Sequence, residues 1–354
     1  MHGRPIHGGN LVWAATIANC SKSEIVDFSA SINPLGPPKS AIEAIDRAIA
    51  DLKAYPDPNY SQLRSCLGKY HQLPSEWILP GNGAAELLTW AARELSQWEI
   101  TYLHTPAFAD YWRAFSTFSV NVRRLQLDLD NLSIVNDRIS GKNCGILINN
   151  PHNPTGKMWQ IAEILPYLEN FALVVVDEAF MDFLPPDREQ SLIALIRNYP
   201  NLIILRSLTK FYTLPGLRLG YAISHPERLR KWQKWRDPWA VNVLAAAAGM
   251  AVLEDRDFQK QTWEWLINAK SQLLTGLGAI DGLQPFPGAA NFLLVRTSVS
   301  SSQLQTKLLQ QNRILIRDCL SFPELGDRYF RLAVRTRSEN QSLVTAVKDI
   351  LAGQ

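Results

Sequence analysis

Residues 172–178 read ALVVVDE, an apolar run without polar alternation that ends in two acidic side chains. The run CGILINN, residues 144–150, is also apolar without polar alternation and ends in two asparagines. Strands buried on both faces of a parallel sheet are apolar throughout, whereas half-exposed strands alternate. The two stretches therefore predict neighbouring strands inside a sheet that helices cover on both faces.

Further apolar runs extend this sheet in both directions along the chain, and helix-like segments separate them. The additional predicted strands are 99–104, 121–127, 201–207 and 218–224, and the predicted helices lie near 83–97, 107–118, 159–169 and 189–198. Such alternation is typical of an α/β domain with a mostly parallel sheet. We place this large domain at residues 40–240.

The pattern changes after residue 240. A long helical run, about 240–277, precedes three strand-like pieces and a closing helix near 338–352. The strand-like pieces are NFLLVR (291–296), ILIRDC (314–319) and YFRLAVR (329–335). We expect residues 241–354, together with the N-terminal arm 1–39, to form a smaller α+β domain.

Composition and charge narrow the classes of function. The formal net charge is only +3 and the cations are scattered, so the sequence does not indicate a surface for nucleic acid or for an anionic membrane. No apolar run approaches the roughly 20 residues of a membrane span, and the N-terminus lacks a signal-peptide pattern. Four dispersed cysteines without a CxxC pair favour a reducing, cytoplasmic location and give no sign of a metal site: Cys20, Cys66, Cys144 and Cys319.

Polar side chains follow three of the predicted strands at their carboxyl ends, where ligands of open α/β sheets bind. Asn153 lies in NNPHNPTG, Asp177 ends LVVVD, and Lys210 follows NLIILRSLT. Each has an ordinary alternative, because aspartate often caps a helix, Asn-Pro-Gly stretches form turns, and a lysine is usually a solvated surface charge. The set of three points to one ligand more strongly than any single residue does.

An amine, a carboxylate and an amide at one sheet edge match the needs of pyridoxal phosphate. This cofactor requires an amine for covalent attachment, an acid beside its pyridine nitrogen, a donor to its ring oxygen and several donors for its phosphate. Asp177 and Lys210 would stand on neighbouring strands, one on each side of the cofactor ring. The sequence therefore predicts a pyridoxal-phosphate site at this edge.

Five motifs make the chain resemble the fold-type I pyridoxal-phosphate enzymes of the aspartate aminotransferase superfamily over nearly its whole length. They are GNGAAE (81–86), NNPHNPTG (149–156), DEAFMDF (177–183), SLTK (207–210) and GLRLGY (216–221). The resemblance implies the aspartate-aminotransferase-like α/β fold, with a large mostly parallel-sheet domain and a smaller α+β domain. It also implies that Lys210 binds the cofactor covalently, that Asp177 pairs with the pyridine nitrogen and that Asn153 donates to the ring oxygen.

The same resemblance implies the remaining cofactor contacts. The phosphate would be bound by Gly83, Ala84, Ser207, Thr209 and Arg218, which agrees with the affinity of helix N-termini and arginines for phosphate. Phe108 would lie against the ring, although an ordinary core aromatic is the alternative. Tyr55 would reach the phosphate of the other subunit, which implies a homodimer with shared active sites. Phe180 departs from the tyrosine common in similar aminotransferases, and this removes a hydroxyl donor near the ring oxygen.

Two terminal regions bear on the reaction. HGGN (7–10) and DFSASINPLGPP (27–38) closely resemble the start of the L-threonine-O-3-phosphate decarboxylase family, whose product enters the nucleotide loop of cobalamin; histidinol-phosphate aminotransferases share the second element but seldom begin with HGGN. ILIRDC and YFRLAVRTRSEN also resemble the decarboxylases. The resemblance places four residues around the substrate's phosphate and carboxylate: His7, Asn33, Arg317 and Arg331. A disordered terminal histidine is the alternative for His7.

The resemblance thus implies decarboxylation of L-threonine O-3-phosphate to (R)-1-amino-2-propanol O-2-phosphate. From the charge pattern and the short apolar runs we expect no nucleic-acid or membrane partner. A histidinol-phosphate-type aminotransferase is the main alternative. A cofactor-binding regulator on the same fold is another, but it would carry a fused DNA-binding domain, for which we expect no room before the first helix. Serine phosphate and threonine phosphate stay open as substrates, because they differ by one methyl group, worth about 1–3 kcal/mol.

Overall fold

The computed structural model describes residues 4–130, 133 and 141–353. The strands are β1 (Val26–Asp27), β2 (Ile78–Asn82), β3 (Ile100–Thr105), β4 (Val122–Gln126), β5 (Cys144–Asn149), β6 (Leu173–Asp177), β7 (Leu202–Ser207), β8 (Leu219–Ser224), β9 (Leu283–Pro285), β10 (Phe292–Thr297), β11 (Ile314–Leu315) and β12 (Tyr329–Ala333). The helices are α1 (Leu11–Ala18), α2 (Lys39–Ala48), α3 (Ser61–His71), α4 (Gly83–Leu95), α5 (Ala109–Thr117), α6 (Ile161–Asn170), α7 (Pro226–Trp235), α8 (Val243–Glu254), α9 (Arg256–Gly278), α10 (Ser301–Asn312) and α11 (Arg337–Ala352).

The large sheet has the strand order β2-β8-β7-β6-β5-β3-β4. Strands β4, β3, β5, β6 and β7 run parallel, whereas β8 is antiparallel to both of its neighbours. Every residue of β5 and β6 is buried, which is why these strands are apolar throughout. The predicted α/β fold with a mostly parallel sheet is confirmed.

The register of the sheet brings its polar strand ends together. Asn149 pairs with Asp177, and Asp177 pairs with Leu205, so β5, β6 and β7 end at one edge. Strand β2 points the same way as β7, because β8 is antiparallel to both, and helix α4 begins at Gly83 directly after β2. The start of α4 therefore faces the same edge as the ends of the parallel strands.

A smaller antiparallel sheet, β12-β10-β9, packs with α9 and α11, and a parallel β1–β11 pair ties the N-terminal arm to it. One hydrophobic core runs from the large sheet through α8 and α9 into the small sheet. The division into 40–240 and 1–39 plus 241–354 stays a prediction, and residues 1–3 of that arm lie outside the described residues. None of the described helices is long and apolar enough to cross a membrane.

Several segments differ from their predicted structure. Strand β2 was not expected, because its sequence contains Pro80 and Gly81; at a sheet edge a proline is tolerated. The predicted helix 189–198 is wrong, since only Ile193–Leu195 forms a helical turn. The buried carboxylate of Glu178 accepts hydrogen bonds from the Ser191 hydroxyl and the Leu192 N–H, which a continuous helix would orient differently.

Two predictions in the C-terminal part were also only partly correct. The helical run 240–277 divides at Asp255, whose side chain accepts a hydrogen bond from the Phe258 N–H at 3.0 Å and caps α9. The predicted strand 314–319 is reduced to β11, and the short strand β9 was not anticipated.

Candidate active site

A cavity of about 430 Å³ opens at the carboxyl edge of the large sheet. It gathers side chains from the N-terminal arm, the large sheet and the small sheet. The predicted site residues that line it are His7, Ala84, Phe108, Asn153, Asp177, Ser207, Thr209, Lys210, Arg218 and Arg331. Positions separated by more than 300 residues in the chain thus meet in one cavity.

Lys210 follows β7 and lies against an apolar wall. Its Nζ is 4.8 Å from the ring centre of Phe180, and that ring packs on Phe292 at 5.0 Å between centroids. Burial lowers the pKa of Lys210, although the Asp177 carboxylate opposes the shift. A lowered pKa increases the fraction of neutral amine, which is the nucleophilic form.

Asp177 ends β6 with both carboxylate oxygens engaged. Its Oδ1 accepts the Ala179 N–H at 3.0 Å, and its Oδ2 accepts the Tyr111 hydroxyl at 2.7 Å. Burial raises the pKa of Asp177, while the Tyr111 hydrogen bond and the Lys210 charge oppose the rise. Two fixed donors therefore hold the orientation of a carboxyl group that lines the cavity.

Asn153 is oriented by an arginine from the small sheet. Its Oδ1 accepts a hydrogen bond from Nη1 of Arg331, and its backbone N–H donates to Asn149 Oδ1 at 2.7 Å. Arg331 also donates from Nη2 to the Ser29 carbonyl at 3.0 Å. Because Oδ1 is occupied, Nδ2 is the atom of the Asn153 amide that remains to donate to a ligand in the cavity.

An anion cradle forms where α4 begins. Gly83 has φ of +74°, and a Cβ there would lie 2.5 Å from Nη2 of Arg218, so a larger residue would displace the guanidinium. The hydroxyls of Ser207 and Thr209 are 2.8 Å apart on the opposite strand end. A helix N-terminus, an arginine and two hydroxyls together match a phosphate group.

Two arginines occupy paired backbone positions beside the cavity. The Arg317 N–H donates to the Arg331 carbonyl at 2.9 Å and the reverse bond is 2.8 Å, so both side chains leave the same face. Burial lowers the pKa of both guanidinium groups, that of Arg331 to about 10. Neither forms an ion pair with a carboxylate among the described residues.

Arg317 is engaged by the N-terminal arm. It donates from Nη1 to the Pro5 carbonyl at 2.9 Å and from Nη2 to the Ile6 carbonyl and the Ser321 hydroxyl. It lines a small adjoining cavity, which His7 and Gly8 also line. The His7 ring lies 5.7 Å from the Phe108 ring, so the arm connects Arg317 to the main cavity.

Besides Gly83 and Arg317, two more predicted site residues lie outside the lining of the main cavity, Asn33 and Tyr55. Asn33 is buried, and its Nδ2 donates to the Phe211 carbonyl and to the Thr262 hydroxyl, both at 2.9 Å. Tyr55 is 80 % exposed and stacks on Trp239 at 4.5 Å between centroids. The structure therefore gives Asn33 a role in packing, and the predicted ligand contacts of both residues stay predictions.

Tyr111 and Ser31 line the cavity without having been predicted. Tyr111 lies one helical turn after Phe108, and this i, i+3 spacing was the available signal. Ser31 is 5 % exposed, and its Oγ has no hydrogen-bond partner among the described residues. Ser31 lies two residues before Asn33 in SASINP, so this motif contributes to the cavity lining.

The donor set fits pyridoxal phosphate as the sequence predicted. Lys210 supplies an amine of lowered pKa, Asp177 a fixed carboxylate, Asn153 an amide N–H donor and Phe108 an aromatic ring. The phosphate would lie at the Gly83 cradle, where the absence of a side chain leaves room for Arg218.

Known proteins are similar to this chain in sequence and in architecture. The family described as aminotransferase class I and II matches residues 23–347. A threonine-phosphate decarboxylase of Salmonella typhimurium is 36 % identical over 98 % of this chain and 97 % of its own length. The solved histidinol-phosphate aminotransferase of Clostridium acetobutylicum has a TM-score of 0.84 at 30 % identity, covering 92 % of this chain and 99 % of its own. That of Sinorhizobium meliloti, solved with pyridoxal-5'-phosphate, has a TM-score of 0.85 over 99 % of this chain and 98 % of its own; at 22 % identity it supports the fold alone.

Proposed function

The chain belongs to the class I and II aminotransferase family, and from this we propose that it decarboxylates L-threonine O-3-phosphate to (R)-1-amino-2-propanol O-2-phosphate, the aminopropanol phosphate of the cobalamin nucleotide loop. The cofactor is pyridoxal 5'-phosphate. Lys210, Asp177, Asn153 and Phe108 would hold its ring. When bound, the cofactor supplies an electron sink for the bond that breaks at the substrate's α-carbon.

The observation that carries this proposal is the pair of buried arginines. Arg317 and Arg331 stand side by side next to Lys210's cavity without a carboxylate partner among the described side chains. Buried charges are normally paired, because an isolated one is costly to desolvate. A substrate with a phosphate and a carboxylate would supply the missing negative charge, and a simple monoanionic amino acid would supply less.

The chain's own contribution to the reaction is orientation. Guanidinium groups bind oxyanions through directional, fork-shaped hydrogen bonds, so two anions held at fixed points leave the α-carbon little freedom to rotate. With the cofactor bound, Arg317 and Arg331 would thereby fix the orientation of the substrate's α-carbon. The Ser31 hydroxyl, which has no hydrogen-bond partner among the described residues, would be a further donor. Lys210 Nζ, with its lowered pKa, is placed to hold or deliver a proton in the same cavity.

A side-by-side assay tests the proposal. The purified protein with pyridoxal phosphate is incubated with O-phospho-L-threonine or O-phospho-L-serine, with and without 2-oxoglutarate. We expect carbon dioxide from phosphothreonine in the absence of 2-oxoglutarate. Formation of glutamate from 2-oxoglutarate without carbon dioxide release would instead support the histidinol-phosphate-type aminotransferase.

Arg331→Gln is expected to raise KM for O-phospho-L-threonine about 10- to 100-fold, since a hydrogen bond to a charged group contributes about 1.5–3 kcal/mol. Initial-rate kinetics of carbon dioxide release would measure this. Arg337→Gln is the matched control, because Arg337 is exposed at the start of α11 and does not line the cavity. Equal KM values for wild type and Arg331→Gln would remove Arg331 from the substrate site.

An exposed apolar surface supports the predicted homodimer. Tyr55 and Trp239 stack on each other while 80 % and 44 % exposed, and Ile42, Ile49 and Leu52 are 44 %, 52 % and 59 % exposed nearby in the chain. Contiguous exposed apolar residues mark interaction surfaces.

All four cysteines are free thiols, which favours a reducing compartment such as the cytoplasm.

Sedimentation should give a molar mass near twice the 39.9 kDa of one chain. Tyr55→Ala should weaken cofactor phosphate binding if Tyr55 reaches the partner's site, whereas Tyr199→Ala, a partly buried tyrosine outside the cavity lining, should not. A monomeric mass at full activity would refute the shared active site.

A further inference from the structure

Tyr111 donates a hydrogen bond to the carboxylate of Asp177, the acid that would lie beside the cofactor's pyridine nitrogen. Its side chain is 2 % exposed, and its hydroxyl donates to Asp177 Oδ2 at 2.7 Å across the 66 residues that separate the two in sequence. Burial raises the pKa of Tyr111 well above its ordinary value, so the hydroxyl keeps its proton and acts as a donor at all physiological pH values. The interaction therefore has a fixed direction, from phenol to carboxylate.

Helix α5 couples this donor to the aromatic wall of the cavity. Phe108 is the N-cap residue of α5, and Tyr111 lies in its first turn. The two rings meet edge to face, with centroids 5.6 Å apart and an interplanar angle of 89°. One helical turn thus supplies both the predicted ring-stacking residue and a donor to Asp177.

The ring of Tyr111 also belongs to the hydrophobic core cluster that contains Leu88, Leu147 and Phe115. A purely structural role would be satisfied by that ring. The hydroxyl needs a separate explanation, because its partner is Oδ2 of Asp177 rather than a backbone carbonyl. With Oδ1 bound to the Ala179 N–H, the two donors hold the carboxylate between them.

We propose that Tyr111 is a positioning residue for the reaction: its hydroxyl keeps Asp177 ionised and fixed in orientation, so that a carboxylate faces the cofactor's pyridine nitrogen. This inference rests on the cofactor assignment of the proposed function, but not on which substrate is decarboxylated. Charged groups that also face Asp177 are Lys210 after β7, which favours the ionised form, and Asp110 on α5, which opposes it.

The chemical consequence concerns one proton shared by the carboxylate and the pyridine nitrogen. A hydrogen bond donated to a carboxylate makes that carboxylate less basic. With the Tyr111 hydroxyl present, the shared proton stays on the ring nitrogen, and the ring carries the positive charge that makes it an electron sink. Without the hydroxyl, the more basic Oδ2 takes the proton, and the ring becomes neutral.

The test uses holoenzyme loaded with pyridoxal phosphate that carries ¹⁵N at the pyridine nitrogen. Wild type should show the ¹⁵N chemical shift of a protonated ring at neutral pH without substrate. Tyr111→Phe keeps the aromatic ring in the core and should move this signal toward the neutral-pyridine position. We also expect kcat to fall about 10- to 100-fold with KM within about twofold, as for the loss of a hydrogen bond to a charged group.

Tyr221→Phe is the matched control, because it removes another buried hydroxyl, which hydrogen-bonds to His71 Nε2 at 2.8 Å outside the cavity lining. It should lower the melting temperature to a similar extent and leave the ¹⁵N shift unchanged. 3-Fluorotyrosine at position 111 keeps the hydroxyl and nearly the same volume, so it covers the case in which Tyr111→Phe does not fold. As a stronger donor, it should move the ¹⁵N signal toward the protonated position or leave it there.

A Tyr111→Phe holoenzyme with the wild-type ¹⁵N shift and wild-type kcat would overturn the proposal, and so would an equal shift in Tyr221→Phe. A fluorotyrosine enzyme whose ring is deprotonated would overturn it as well. The ¹⁵N measurement is made on resting enzyme, so a negative carbon dioxide assay with a normal Tyr111 effect would count against the proposed substrate alone.

Discussion

Lys210→Ala is expected to abolish the near-visible absorbance of the covalently bound cofactor and to reduce carbon dioxide release by about 10³-fold or more. The loss has two parts, because the variant lacks both the amine that binds the cofactor and a proton carrier, and positioned proton transfer alone contributes about 10²–10⁴-fold. Absorbance spectra after dialysis against cofactor-free buffer and initial rates measure the two parts.

Lys157→Ala is the matched control for this variant. Lys157 is also partly buried and lies at the end of the NPTGK stretch, but its Nζ faces the Trp159 ring at 4.2 Å and Glu163 at 3.4 Å, outside the cavity lining. The absorbance and the turnover of the Lys157→Ala enzyme should match those of wild type. A coloured, active Lys210→Ala enzyme would contradict the role of Lys210.

Asp177→Asn is expected to lower kcat about 10²- to 10³-fold, the cost typical of removing one preorganised electrostatic contact at a reacting group. Asparagine keeps the size of the side chain and can still accept the Ala179 N–H, but it cannot stabilise a protonated pyridine nitrogen. Cofactor affinity and kcat for the loaded enzyme measure the effect. Asp187→Asn, at an exposed position, is the control.

The same variant should change how the stability of the cofactor-free protein depends on pH. Burial raises the folded-state pKa of Asp177 above its ordinary value of 3.8, so the folded protein binds more protons than the unfolded chain between these two values. The contribution of this carboxyl makes the free energy of unfolding decrease as pH rises through that window. Asp177→Asn should remove this decrease, and urea titrations across the window should show it; an unchanged pH dependence would contradict the predicted shift.

The fold could be predicted largely because two strands carry an unmistakable pattern. ILIN and LVVVD are buried at every residue, and such apolar runs are expected of strands in a parallel sheet with both faces covered. Strand β2 was missed because Pro80 and Gly81 argue against a strand unless its position at the sheet edge is known. Residues 189–198 do not form the predicted helix because the Ser191 hydroxyl and the Leu192 N–H donate to the buried carboxylate of Glu178, a contact that the local sequence pattern does not indicate.

The site residues that stand at strand ends could be predicted from the sequence. Residues whose roles depend on contacts with distant parts of the chain could not. Asp177 ends β6, and Lys210 and Asn153 follow β7 and β5, so the sheet alone brings them together. Asn33 has the residue type of a ligand contact, but its amide is bound by Phe211 and Thr262. Tyr111 looks like a core aromatic, and only its 2.7 Å hydrogen bond to Asp177 reveals more.

Borohydride reduction of the holoenzyme, followed by mass spectrometry of its peptides, tests the central claim most directly. Reduction makes the bond between cofactor and protein permanent, so the modified residue can be located. The account predicts one phosphopyridoxyl group per chain, on Lys210, in the peptide that contains SLTK. A label on another lysine, or no label in protein saturated with pyridoxal phosphate, would contradict it.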